Sequence, residues 1–264
     1  MKISTLLYFL ATSIFTPIAQ NYYVISFEGT GVNENPPWGY DLYLDNSNPS
    51  NIWQIGSPQK NMFTSSVSIP NVIVTDTLND YPINDTSSFI IEHIADLGFS
   101  MPHDVIFSGY YFVNSDTLTD YGLIEFSPDN GGIWIDLIND PTYSPYIIWL
   151  TPKPILTGNS IGGWSQFAAN LSGLGPFFGI QTGDTVLWKF TFVSDPIQTN
   201  NDGLMFDNLS IWDVPPIGIE ELNSASKDII KITDLMGRQT EDKPNTTLIY
   251  IYSDGTTEKV YRME

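Results

Sequence analysis

Thr185-Val186-Leu187-Trp188-Lys189-Phe190-Thr191-Phe192 places an apolar side chain at every second position. Successive side chains of an extended strand point to opposite faces, so this period of two marks a strand with one buried side. Gly122-Leu123-Ile124-Glu125-Phe126 alternates in the same way. Working outward, further strand-like runs are Tyr22 to Phe27, Val72 to Val74, Ser88 to Ile94, Asp104 to Phe112 and Leu204 to Ile211. Clusters of Gly, Pro, Asn and Asp separate them, and helical periodicity is almost absent. Many short strands with turn signals between them predict an antiparallel sandwich or barrel. The expectation is an all-β chain, a jelly-roll β-sandwich burying two sheet faces against each other.

Composition agrees with a globular body. Apolar residues make up 42% of the 264 and aromatic residues 14%, enough for an ordinary core. The formal net charge is −20, and between Asn21 and Asp213 the only basic residues are Lys60, Lys153 and Lys189. A nucleic-acid binder needs clustered Lys and Arg to release counterions, so that class is excluded. Such a surface favours cations, calcium among them. With no cysteine there is no disulfide, no thiolate zinc site and no Cys nucleophile.

Residues 1–19 read as a secretory signal peptide: Lys2 supplies the positive start, Leu6 to Ile14 a short apolar run, and Ala19 a small residue for cleavage. The run is too short to span a membrane. The alternative is a buried N-terminal helix. Residues 20–213 form the sandwich, residues 214–223 a linker rich in Pro and Gly, and residues 224–264 a tail that is richer in Lys and Arg.

Ser127-Pro128-Asp129-Asn130-Gly131-Gly132-Ile133-Trp134 has the spacing of an Asp-box, S-x-D-x-G-x-x-W. Asp129 can hydrogen-bond the turn backbone while the glycines accept positive φ, so the motif predicts a hairpin and no activity.

Three segments together resemble a known group: Ser26-Phe27-Glu28-Gly29, the Asp-box, and Trp188 to Asp195 followed by Gly203-Leu204-Met205-Phe206-Asp207-Asn208-Leu209. Trp164 after Gly162-Gly163, Trp53-Gln54-Ile55-Gly56 and Val74-Thr75-Asp76-Thr77 fit too. Residues 22–213 are similar to the MAM-like, choice-of-anchor J and cleaved-adhesin jelly rolls of bacterial surface proteins, Bacteroidetes in particular. The resemblance implies an extracellular sandwich with adjacent terminal strands. It also implies a structural calcium, with Glu28 and Asp207 as candidate ligands. Asn208 departs from a second Asp common in the family, and Asp202 is a further candidate or a turn residue.

Catalysis has few supports. His93 and His103 are the only imidazoles, and no H-E-x-x-H cluster is present. The glycine-rich stretch Gly158 to Gly163 lacks a phosphate-loop Lys and reads as a turn. A polysaccharide hydrolase using a carboxylate pair stays open as the rival; a purely structural surface component is the third reading. Binding is the leading one: Trp38, Tyr40, Trp53, Trp149 and Trp164, with Tyr110 and Tyr111, offer flat faces for sugar rings, the alternative for each being a core or cover aromatic. A glycan or a surface protein is then the partner, with no enzyme activity expected.

In the tail, Leu248 to Tyr252 and Thr257 to Tyr261 flank Ser253-Asp254-Gly255-Thr256, a strong hairpin signal. Lys231 to Arg238, Lys243-Pro244-Asn245-Thr246 and Ile249 to Thr256 resemble the C-terminal sorting domain of the type IX secretion system. By that resemblance Gly237, Arg238, Pro244, Asp254 and Gly255 carry the signal. It implies passage through the outer membrane by that machinery and a secreted or cell-surface location. A terminal β-hairpin packed on the body is the alternative.

Overall fold

A computed structural model describes residues 21–28, 40–95, 104–197, 200–214, 229–253 and 255–261. The expected signal peptide, Trp38, His103, most of the linker and Asp254 lie outside them. The chain divides into two compact units, residues 1–216 and 217–264.

The first unit holds two antiparallel sheets. One contains β1 (Asn21–Ile25), β3 (Trp53–Gly56), β4 (Val72–Thr75), β6 (Asp104–Asn114), β9 (Ile148–Trp149), β10 (Ser165–Asn170) and β12 (Gly203–Val214). Its order is β3-β4-β12-β6-β10-β9, with β1 also on β12. The other runs β2 (Tyr40–Leu44), β5 (Thr86–Ile94), β11 (Thr185–Val193), β7 (Tyr121–Ser127) and β8 (Ile135–Asp136). Every pairing is antiparallel. This is the all-β sandwich that the alternation predicts. No helix of the described residues is long and apolar enough to cross a membrane.

Aromatic residues join the sheets. Val186, Trp188, Phe190 and Phe192 of β11 are buried. Phe190 stacks on Phe89 in its own sheet at 4.5 Å and meets Phe206 of the facing sheet at 4.8 Å. Phe107 lies 5.7 Å from Trp188 across the same interior. Such ring pairs add about 0.5–1.5 kcal/mol each beyond their burial. Gly109 makes room for this packing, since a Cβ there would lie 2.5 Å from Leu209 Cδ2.

The Asp-box is a structural hairpin. Asp129 Oδ1 accepts the Ile133 N–H at 2.7 Å, and Ser127 Oγ accepts the Gly131 N–H at 2.8 Å. Trp134 folds back over Lys189, whose Nζ is 4.1 Å from the ring centre and 2.9 Å from Glu125.

β12 changes parity at a bulge between Asp207 and Ser210. Before it, Leu204 and Phe206 enter the main core; after it, Leu209 and Ile211 do. Asn208 takes a φ of 47°, a left-handed conformation that Asn tolerates. The side chains of Asn208, Ser210 and Trp212 therefore point outward.

Candidate binding site

The outer face of the seven-stranded sheet is covered at one end and open at the other. The cover is the segment 57–71 between β3 and β4, which has no regular structure of its own. It inserts Phe63 against Val72, Val74, Phe112 and Met205, a second small core with Trp164 packed beside it.

Three carboxylates pin this strap. Asp202 Oδ2 accepts the N–H groups of Met62 and Phe63 at 2.6 and 2.8 Å. Asp207 Oδ2 accepts those of Val67 and Ser68, both at 2.7 Å. Glu28 Oε1 accepts that of Asn71 at 2.7 Å. The strap also buries Lys60, whose ammonium donates to the carbonyls of Thr75 and Asp202 at 2.6 Å each. Burial lowers the Lys60 pKa to about 8, partly opposed by Asp202. Burial raises that of Asp207 against the pull of its hydrogen bonds.

The open end begins at Asn208. Val24, Ile106, Ser108, Tyr110, Gln166, Ser210 and Trp212 line a groove of about 460 Å³ with Leu150 at its side. No lining residue is charged. Ser108 and Ser210 share a hydroxyl–hydroxyl hydrogen bond of 2.7 Å on its floor. Trp212 is 41% exposed. It pairs with Ile106, and Tyr110 lies four residues further along β6, about 13 Å at 3.3 Å per residue. The groove thus has two aromatic faces with hydroxyl and amide groups between them.

The aromatic residues expected to bind sugar are placed elsewhere. Tyr40 and Trp53 belong to the main core, and burial pushes the Tyr40 pKa up to about 12. Trp53 donates its Nε1–H to the Ser87 carbonyl at 2.9 Å. Trp149 packs partly buried against the same core. Trp164 donates to Ser65 O at 3.2 Å, tying down the strap. Tyr111 is buried and does not line the groove; its hydroxyl accepts the Ile155 N–H. Tyr110 alone of the described candidates faces the groove, and Trp212 is its unforeseen partner.

The carboxylates expected to hold calcium face hydrogen-bond donors. Both oxygens of Asp207 are engaged, Oδ2 by two N–H groups and Oδ1 by Ser68 Oγ and the Asn208 N–H. A cation placed there would meet donor hydrogens. Among the described residues no group of three His, Cys, Asp or Glu side chains could hold a metal ion. As placed, Asp207 and one oxygen of Glu28 serve as strap anchors.

Gly158-Asn159-Ser160-Ile161-Gly162 matches the G-x-S-x-G spacing of a hydrolase nucleophile elbow. Its context differs from an elbow: Ser160 exchanges bonds with Val113, its N–H donating to the carbonyl and its Oγ accepting the Val113 N–H. His93 is buried in the opposite sheet at 1% exposure.

The second unit is a three-stranded antiparallel sheet, β13 (Ile229–Thr233), β14 (Thr247–Tyr252) and β15 (Thr257–Tyr261). A turn with Gly237 at a φ of 79° follows β13. Asp234 Oδ1 accepts the N–H groups of Met236 and Arg238, and the Arg238 guanidinium grips Oδ2 through Nε and Nη2 at 2.9 and 2.8 Å. The Arg238 N–H is the main cause that holds the Asp234 carboxyl below its usual range. Pro244 is exposed between β13 and β14, and Gly255 takes a φ of 81° in the second hairpin.

No protein-family model matches the chain, and no curated protein matches it. Solved structures similar to it include the K2 cleaved adhesin domain of Lys-gingipain, at 13% identity and a TM-score of 0.43, over 72% of this chain and 98% of that one. The K3 cleaved adhesin domain of Lys-gingipain from Porphyromonas gingivalis W83 matches at 13% identity and a TM-score of 0.41, over 73% and 98%. TmCBM61, solved in complex with β-1,4-galactotriose, matches at 9% identity and a TM-score of 0.38, over 71% and 94%.

Proposed function

We propose that the chain is an exported, non-catalytic binding module that holds a neutral glycan on the open end of the seven-stranded sheet. The observation that carries this is the uncharged groove between Trp212 and Tyr110. The apolar face of a sugar ring stacks on an aromatic plane, and its hydroxyls pair with amide and hydroxyl groups such as Gln166, Ser108 and Ser210. The separation of the two aromatic residues along the strands fits a ligand of more than one ring. A net charge of −20 disfavours acidic glycans.

A glycan array with the full chain, followed by fluorescence titration of each hit, tests the reading. Saturable binding that Trp212→Ala weakens at least tenfold is expected. Release of reducing ends would replace the module with a hydrolase, and no binding to any neutral glycan would overturn the assignment.

For export we infer the type IX route, on the tail resemblance at Gly237, Arg238, Pro244 and Gly255. Residues 219–264 fused to a reporter should carry it to the surface or medium of a competent host. A reporter retained in the periplasm would refute this.

A further inference from the structure

Two short segments share the free edge of β7, and a cleft opens between them. On one side Tyr121 bridges Thr157, and the Gly122 N–H donates to the Leu156 carbonyl at 2.7 Å. On the other, β8 pairs with Glu125 and Phe126, and the Leu137 N–H reaches the Ile124 carbonyl at 2.9 Å. The cleft is about 450 Å³, with Leu123 in its lining between the two segments. Leu118, Tyr121, Ile138, Pro154 and Ile155 add apolar surface. Leu118 is 80% exposed and Ile155 67%, so this surface stands in water. Covering it with an apolar ligand removes that surface from water, which favours binding. The volume lies within the range of small-molecule sites, about 300–1,000 Å³. No residue is shared with the Trp212 groove.

One cation stands in this cleft. Of the three lysines in residues 21–213, Lys60 is buried on two carbonyls and Lys189 pairs with Glu125. Lys153 is exposed, and its ammonium donates to the Ile138 carbonyl at 3.0 Å across the mouth. No Asp or Glu among the described residues forms an ion pair with it. An ammonium has three donors, and one carbonyl engages only one of them. On so acidic a chain, an ammonium without a carboxylate partner beside an apolar cleft complements a ligand that brings its own negative charge.

We propose that this cleft binds a small apolar carboxylate, its body against Leu123, Tyr121 and Ile155 and its charge on Lys153 Nζ. The two sites share no lining residue, so this one is independent of the glycan reading.

Methyl-resolved NMR of the full chain titrated with 4-phenylbutyrate tests it. Saturable shifts should be confined to the methyl groups that line the cleft, those of Leu118, Leu123, Ile138, Ile155 and Leu156. The uncharged 4-phenylbutan-1-ol should bind about tenfold more weakly, in keeping with a charge-assisted contact. Lys153→Gln should bring the two ligands to equal affinity while the remaining methyl signals stay in place. Absence of saturable shifts at these methyls, or an unchanged preference for the carboxylate in Lys153→Gln, would overturn the proposal.

Discussion

Asp207 holds Ser68 from two directions: Oδ2 accepts its N–H at 2.7 Å, and Oδ1 lies 2.8 Å from its hydroxyl. That hydroxyl is also 2.9 Å from the Ser26 carbonyl, so one side chain ties the strap to the segment after β1 and to β12 together. Asp207→Ala would leave the N–H groups of Val67 and Ser68 without their acceptor beside a buried strand. A loss of roughly 3 kcal/mol is expected from such unsatisfied donors, read by urea denaturation. Asp207→Asn keeps one acceptor oxygen and should lose less. Equal, negligible losses in both variants would show that the strap stays down without the carboxylate.

Lys60 gives a pH signature. Its pKa falls from 10.5 to about 8 on burial. Between those values the unfolded chain holds a proton at Lys60 that the folded chain has released. Stability therefore rises with pH through this window, because the unfolded state binds more protons. Comparing wild type with Lys60→Met at pH 7.5 and pH 10 isolates this contribution. The wild type should gain on the variant at the higher pH; a difference that stays flat would mean that the folded ammonium keeps its ordinary pKa.

Calcium is the next test. With the Asp207 oxygens already engaged by donors, neither millimolar calcium nor chelator should move the wild-type melting temperature. A rise with calcium that Asp207→Ala abolishes would establish the metal site and require the strap to rearrange around it.

The strands with the plainest alternation, β7 and β11, were legible because each has one face in the core and one outside. β6, β5 and β12 were legible from apolar density. β10 was not: Ser165-Gln166-Phe167-Ala168-Ala169-Asn170 carries one large apolar residue, and its extended form comes from pairing with β6 and β9. β2 and β3 were hidden by polar and Gly- or Pro-containing flanks, so Tyr40 and Trp53 read as candidate binding aromatics when both are core. The binding face was harder still. Counting by twos from Phe206 puts position 212 on the core side. Only the bulge at Asp207 to Ser210 turns Trp212 outward, and a bulge leaves little trace in one sequence.

The two tryptophans that this bulge and β3 separate should respond oppositely to truncation. Trp53 is 1% exposed, meets Phe89 edge-on at 4.8 Å and bonds Ser87. Its loss opens a cavity between the sheets, and Trp53→Ala should cost about 4 kcal/mol or prevent folding. Trp212 already stands in water on one side, so Trp212→Ala should cost less than about 1 kcal/mol. Glycan affinity should follow the reverse order. Trp212→Ala should lose binding while it melts near wild type, and Trp53→Phe, which keeps a buried ring, should retain affinity at reduced stability. If Trp212→Ala binds as wild type does, the open end of the sheet is not the ligand's seat, whatever its aromatic faces.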